Sequence, residues 1–255
     1  MNQRKIILIT GATAGIGEAT AWLFAQNGWD LILTGRRKER LSDIAAKIEA
    51  EHKVCVLPLQ FDVRNRASVK DVLTNLPKNW QSIDVLVNNA GLAMGRGSFQ
   101  EANIDDWEIM IDTNIKGLLY VSRLISPIMI ENGKGHIINI SSTAGSQVYA
   151  GGHVYCATKH AVEALSQAMR IDLLKHGIKV TSIQPGMVET EFSVVRFKGN
   201  KKQADNVYKD ITPLVAQDVA ETVYFAASRP AHVNINEIML TCTAQANSFY
   251  VHRKN

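Results

Sequence analysis

The stretch RKIILITGATAGIGEAT, Arg4 to Thr20, decides the fold. A short apolar run, Lys5 to Thr10, meets glycines at Gly11, Gly15 and Gly17, and a helical pattern starts directly behind them. A strand that turns sharply into a helix leaves backbone N–H groups exposed at the positive end of the helix dipole, and such a place attracts phosphate. Gly11 permits the tight turn, Gly15 lets a phosphate approach the backbone, and Gly17 lets helix and strand pack closely. Thr10 and Ile16 belong to the same dinucleotide-binding turn. The spacing, Gly-x3-Gly-x-Gly, differs from the commoner Gly-x-Gly-x-x-Gly, so it gains weight only in combination with the rest of the chain.

Outward from this turn, β-branched runs alternate with segments of helical period, the pattern of a parallel sheet covered by helices on both faces. Strands are predicted at Lys5 to Thr10, Asp30 to Thr34, Val54 to Phe61, Ile83 to Asn88, His136 to Ile140, Lys179 to Gln184 and Glu237 to Thr241. Helices are predicted at Gly15 to Gln26, Lys38 to His52, Arg66 to Leu76, Ile104 to Glu131, Val154 to His176 and Gln217 to Ala227. The expected fold class is α/β: one Rossmann-type, doubly wound parallel sheet of seven strands in a single domain, 1–255. The irregular stretch Gly186 to Leu214 exceeds the ~12 to 15 residues usual for a structureless loop. It reads as a substrate-binding loop or lid, with a short helix near Lys201 to Lys209.

The second strand ends in TGRR, without the acidic residue that binds a ribose 2′-hydroxyl. Arg36 and Arg37 stand there instead, and two guanidinium groups pair with a 2′-phosphate through charge-assisted hydrogen bonds. NADP is therefore favoured over NAD. After the third strand come Asp62 and Val63, where a carboxylate and its adjacent backbone can meet an adenine edge; Asp62 reads equally as a plain turn residue.

Within Val154 to His176, Tyr155 and Lys159 stand four apart and share one helix face. A phenol exchanges protons poorly at neutral pH unless a nearby cation stabilises its phenolate, and Lys159 can be that cation. Ser142, directly after GHIINIS, can hold a substrate oxygen beside the phenol. Together they read as a proton-transfer site for hydride chemistry. Asn114 lies in the apolar helical stretch DTNIKGLLYV, ahead of Gly117, and either bends the helix or holds a buried water. Asn88 and Asn89, at the end of the fourth strand, can also tie strands together.

These elements resemble the short-chain dehydrogenase/reductase family over essentially the whole chain. The resemblance rests on TGATAGIG at Thr10 to Gly17, Asp62-Val63, NNAG at Asn88 to Gly91, Asn114, Ser142, YCATK at Tyr155 to Lys159, and Pro185-Gly186 followed by Thr190. It implies that Ser142 orients the substrate oxygen, Tyr155 exchanges the proton, Lys159 lowers the tyrosine pKa and binds the nicotinamide ribose, and Asn114 supports a water in a proton relay. It further implies that Asn89, Ala90 and Gly91 line the cofactor, with Pro185, Gly186, Val188 and Thr190 near the nicotinamide.

TEFSVVRFKGN, Thr190 to Asn200, RPAHVNIN, Arg229 to Asn236, and the ending FYVHRKN are similar to bacterial NADP-dependent 3-hydroxy acid dehydrogenases acting on serine, allo-threonine and related acids. The implied reaction is oxidation of a 3-hydroxy acid to a 3-oxo acid, and its reverse. Such a substrate needs a cation for its carboxylate, and Arg196 is preferred to Lys198 because a guanidinium binds carboxylates bidentately. Glu191 can instead contact a substrate amino group. A reductase of neutral ketones, aldehydes or diketones, and a nucleotide sensor without turnover, are the competing functions.

Composition narrows the field. The 255 residues are 46% hydrophobic and 20% charged, as in ordinary globular proteins, which excludes disorder. A formal charge of +4, from 28 basic and 24 acidic residues scattered along the chain, is too weak to argue for nucleic acid. Cys55, Cys156 and Cys242 lack disulfide or zinc-ligand spacing, so a reducing compartment and no metal are expected. No stretch approaches the ~18 to 20 apolar residues of a membrane span, and the five-residue apolar run near the start reads as a strand rather than a leader. A cytoplasmic enzyme is expected. The helical stretches 104–131 and 154–176 carry more apolar positions than one buried face needs, and a homotetramer is implied by the family; alternatively both stripes face the sheet. The tail Asn247 to Asn255 either closes the core or reaches a neighbouring subunit.

Overall fold

The computed structural model describes residues 4–254. Its strands are β1 (Ile6–Thr10), β2 (Asp30–Gly35), β3 (Val56–Gln60), β4 (Ile83–Asn88), β5 (His136–Ile140), β6 (Lys179–Pro185), β7 (Val188–Glu189), β8 (Leu214–Val215) and β9 (Glu237–Leu240). Seven of them form one parallel sheet in the order β3-β2-β1-β4-β5-β6-β9. All seven predicted strands are present, each within two residues of its expected bounds.

Alternate residues of each central strand serve opposite faces of the sheet. Ile7 and Ile9 of β1, with Leu31 and Leu33 of β2, pack under α1 (Gly15–Gln26), α2 (Lys38–His52) and α9 (Ala216–Ala227). Ile6 and Leu8, with Ile32 and Leu86, pack under α3 (Arg66–Thr74), α5 (Leu118–Glu131) and α6 (His153–Leu173). Both faces are dry, which is why β1 reads as an unbroken apolar run. The chain leaves β1 in one direction for β2 and returns on its other side as β4. That reversal opens a crevice at the carboxyl ends of β1 and β4, where ligands bind in open α/β sheets.

The stretch predicted as one helix from Ile104 to Glu131 is α4 (Ile104–Ile111), a π-helical turn over Asp112–Gly117, and then α5. The π-turn carries Asn114 to its position, and Gly117 lets the helix lie against Val63, where a Cβ would come within 2.7 Å of the valine side chain. The segment 186–214 is more ordered than expected. Besides α8 (Lys201–Val207) it holds α7 (Glu191–Arg196), and β7 pairs with β8 in a small second sheet. The tail folds back on its own chain: Ser248 N–H donates to Gln147, and Arg253 Nη2 donates to the Val207 carbonyl at 3.0 Å. Among the described residues no helix is long and apolar enough to cross a membrane, and no cluster of metal-ligating side chains occurs.

Candidate active site

The glycine turn forms the floor of a cavity of about 910 Å³. Gly11 and Gly15 have φ of +67° and +56°, the left-handed region that favours glycine. No side chain caps the amino end of α1, so its first N–H groups remain open toward the cavity, which Gly15 and Ile16 line. Thr10 and Gly17 lie behind the cavity wall. The Thr10 hydroxyl accepts from Asn89 N–H and Ala90 N–H, both at 3.0 Å, and the Asn89 amide donates to the Thr10 and Gly11 carbonyls at 2.9 and 3.1 Å. These bonds lock the ends of β1 and β4 together. Asn88 acts as a strand tie, its amide donating to Asn139 of β5 at 2.8 Å.

At one end of the cavity stand Arg36, Arg37, Asp62 and Val63. Arg37 is held by Thr13 of the glycine turn, donating from Nε to the hydroxyl at 3.1 Å and from Nη2 to the carbonyl at 3.2 Å. Arg36 is looser, with one nitrogen 3.9 Å from Asp62. Burial pushes the Asp62 carboxyl up, but hydrogen bonds from Arg64 outweigh it and hold the group below its ordinary value. Asp62 is thus a turn residue bonded to Arg64 as well as a cavity residue.

At the other end, Ser142, Tyr155 and Lys159 come together from the end of β5 and the first turns of α6. Burial, with Tyr149 nearby, pushes the Tyr155 phenol well above its ordinary value; a hydrogen bond with Ser142 and the charge of Arg196 pull it back. Lys159 Nζ donates to the Ile140 carbonyl at 2.9 Å and lies 5.9 Å from the Tyr155 ring centre. Burial lowers the Lys159 ammonium to about 8, against the charge of Glu163 one turn on. Asn114 does not line the cavity. Its Oδ1 accepts from Leu92 N–H at 2.9 Å, and its two amide hydrogens go to the Leu92 carbonyl at 2.8 Å and Thr158 at 3.0 Å. Both N–H groups are therefore committed to protein, and the amide braces the loop after β4 against α6. A Cβ on Gly91 would meet Asn114 Oδ1 at 3.3 Å and Lys159 Nζ at 3.5 Å, so Gly91 keeps that corner open.

The segment after β6 crosses the cavity as a strap. Gly186 packs against Gln245, whose Oε1 accepts from Met187 N–H, and the Val188 carbonyl accepts from the Tyr208 phenol. The Thr190 hydroxyl caps α7, accepting from Phe192 N–H at 3.2 Å. Glu191 lines the cavity beside the arginines. The turn into α7 points its carboxylate at the start of α2, where Oε2 accepts from Arg37 at 2.9 Å and Oε1 from Arg40 at 2.8 Å. Chiefly through the Arg40 hydrogen bond, its pKa falls below the ordinary value.

At the far end of α7, Arg196 is half-buried inside the cavity. Its Nε donates to the Gly95 carbonyl at 3.2 Å and its Nη1 to the Tyr149 hydroxyl at 3.1 Å. Its Nη2 is buried and has no partner. Lys198, the other candidate cation, is bound to Asp106 at 2.9 Å. Arg40, Tyr149 and Gln245 were not singled out from the sequence. Arg40 had a signal in its position one turn after Arg36 and Arg37; the others come from distant segments.

A nicotinamide dinucleotide fits these residues: a glycine cradle and an uncapped helix for the pyrophosphate, guanidinium groups at one end, and Ser142, Tyr155 and Lys159 at the other. The model of the short chain dehydrogenase family matches residues 5–201. The chain is 49% identical over 250 residues to an NADP-dependent 3-hydroxy acid dehydrogenase of Salmonella typhi, covering 97% of this chain and 99% of that one. It is 46% identical over 246 residues to sulfoacetaldehyde reductase 2 of Chromohalobacter salexigens, covering 96% and 97%. The solved closed form of a serine dehydrogenase complexed with NADP+ superposes with a TM-score of 0.91 at 47% identity, covering 98% of this chain and all of that one.

Proposed function

This chain belongs to the short-chain dehydrogenase family, and from that premise we propose that it is an NADP-dependent oxidoreductase of short 3-hydroxy acids. It oxidises the 3-hydroxyl of acids of the serine, allo-threonine and 3-hydroxypropionate type and reduces the 3-oxo acids in reverse. The observation that carries this reading is Arg196: a guanidinium inside the catalytic end of the cavity, 5.6 Å from the Tyr155 ring, with a buried and unpartnered Nη2. A buried donor without a partner is costly, and an anionic substrate group relieves that cost.

When bound, NADP(H) supplies the hydride acceptor or donor. In the oxidation, the Ser142 hydroxyl holds the substrate oxygen and Tyr155, as phenolate, takes the hydroxyl proton while hydride leaves the carbon that bears this oxygen, so that a carbonyl forms. In the reduction the phenol returns the proton. Lys159 and Arg196 supply the positive field that favours the phenolate against burial. Asn114 braces Lys159 through α6, and Arg196 with Tyr149 holds the carboxylate two carbons from the reacting centre. Arg36 and Arg37 take the 2′-phosphate, while Gly11, Gly15 and Ile16 receive the pyrophosphate and Asn89, Ala90, Gly91, Pro185, Gly186, Val188 and Thr190 frame the nicotinamide half.

The three cysteines are free, which suits the reducing cytoplasm. A homotetramer belongs to the same reading. It is supported by Leu119 of α5 and Ile171 of α6, both exposed, and by the small side chains Ala157 and Ala168 on the exposed face of α6; sedimentation that finds a single-copy species removes it. The function is tested by nicotinamide absorbance with NADP or NAD and a panel of serine enantiomers, L-allo-threonine, 3-hydroxypropionate and neutral secondary alcohols, for the wild type and Tyr155→Phe. Turnover of hydroxy acids with NADP, lost in Tyr155→Phe with NADPH binding intact, is the expected result. Turnover confined to neutral alcohols overturns the substrate class, and equal behaviour of the two proteins overturns the enzyme.

A further inference from the structure

We propose that Glu191 is a resident counter-anion of the 2′-phosphate site: it holds Arg37 and Arg40 in the absence of phosphate, yields them to a 2′-phosphorylated nucleotide, and by that competition tempers the selectivity for NADP over NAD. The proposal rests on the NADP reading above. Its geometric basis is one carboxylate shared between two guanidinium groups, one oxygen to each, at 2.9 and 2.8 Å. Three separate elements meet there. Thr13 in the glycine turn fixes Arg37 toward the cavity, Arg40 comes from the first turn of α2, and Glu191 opens α7. Of the other carboxylates at this end, Asp62 is already bound by Arg64, and Glu18 acts on Arg40 through its charge alone.

The pairs are exchangeable because all three side chains are close to half-exposed, between 46% and 48%. Exposed ion pairs of this kind are screened by water and contribute little each. A phosphate monoester brings nearly twice the charge of a carboxylate and three acceptor oxygens, so it outcompetes Glu191 for the same guanidinium groups. A ribose 2′-hydroxyl brings no charge, and with NAD the carboxylate stays in place. Displacement reaches the substrate strap at one end alone, since the other end of α7 is held by Arg196 on Gly95 and by Lys198 on Asp106.

The test is calorimetric titration of adenosine 2′,5′-bisphosphate and of 5′-AMP into the full-length wild type, Glu191→Gln and Glu191→Asp. Glutamine keeps the shape of a half-exposed side chain and removes its charge. The expected result is that Glu191→Gln binds the bisphosphate about three- to tenfold more tightly, with 5′-AMP unchanged and Glu191→Asp nearer the wild type. Unchanged or weaker bisphosphate binding in Glu191→Gln overturns the proposal and makes Glu191 a mere aligner of the arginines. A wild type that binds the two nucleotides alike overturns the NADP reading itself, and the proposal with it.

Discussion

The Arg196 guanidinium carbon and the Tyr155 ring centre lie 5.6 Å apart, closer than Lys159 Nζ, which stands 5.9 Å from the same ring. Two cations thus face one buried phenol, from α6 and from the strap. Lys159 is tied to the Ile140 carbonyl, whereas Arg196 keeps a donor free. The strap therefore brings a charge that eases ionisation of the phenol and, on the proposed reading, a seat for an anionic substrate.

Replacing Arg196 by Gln separates these two effects. Loss of a charge-assisted hydrogen bond of about 1.5 to 3 kcal/mol raises KM for hydroxy acids by roughly ten- to a hundredfold. Neutral secondary alcohols lose no such bond, so their KM holds. Because the Arg196 charge pulls the Tyr155 pKa down, its removal moves the rising limb of the oxidation pH profile to higher pH for both substrate types. Steady-state kinetics across pH check this, and an equal rise in KM for acid and neutral alcohol would remove Arg196 from the carboxylate seat.

Lys159 gives a stability prediction with a definite sign. Burial sets its folded pKa at about 8 against an ordinary 10.5. Within that window the unfolded chain holds a proton that the folded chain has released, so this group's contribution to stability rises with pH. Below the window the folded protein carries a buried cation at a cost of about 3 kcal/mol. Lys159→Met removes the effect, and the melting temperature of the variant minus that of the wild type should fall as pH rises from about 8 to about 10. A difference that stays flat or grows across that range contradicts the buried-cation argument.

The sheet was legible because β1, β2 and β4 are buried on both faces and announce themselves as apolar runs ended by turn residues. Gly11 and Gly15 were legible for a similar reason, since a left-handed backbone selects glycine. At Asn114 a bend was legible from the polar residue ahead of Gly117, but not the π-turn that divides the helix there, because one widened turn leaves the apolar pattern from Ile104 to Glu131 nearly continuous. Nor was the partnership of Glu191 with Arg40, which are 151 residues apart and meet only once the strap folds. Arg196 and Lys198 looked alike as candidate cations. Their difference arises at the end of α7, where the chain turns through a Lys198 with φ of +51° and sends one side chain into the cavity and the other to Asp106.

Asn139 tests the polar seam inside the sheet. It is fully buried in β5, accepts from Asn88 at 2.8 Å and donates to Ser166 of α6 at 2.8 Å. Asn139→Leu keeps the volume but strips a partner from the Asn88 amide, which retains only its bond to Ser122. At about 1 to 3 kcal/mol for a buried group left short of a partner, the expected loss is about 2 kcal/mol in urea unfolding with an unchanged slope. A variant as stable as the wild type would show that the seam contributes little.

Gly17 tests whether the floor of the site depends on contact between β4 and α1. A Cβ there would lie 2.4 Å from Asn89 Nδ2 and 2.5 Å from the Gly11 carbonyl oxygen. Neither can yield cheaply, because that same Asn89 nitrogen donates to the Thr10 and Gly11 carbonyls and so locks β4 to the glycine turn. Gly17→Ala must push Asn89 away, opening the junction that fixes Ala90 to Thr10 and leads on to Gly91 beside Lys159. At about 1.4 kcal/mol for each factor of ten, the strain of one such clash should weaken NADPH binding at least about tenfold. The control is Gly97→Ala, where an added Cβ meets nothing within 4 Å and the backbone is not left-handed. Fluorescence titration with NADPH reads both variants. If Gly17→Ala binds as tightly as Gly97→Ala, the turn tolerates a side chain at Gly17, and the close approach of helix and strand is not what shapes the pyrophosphate floor.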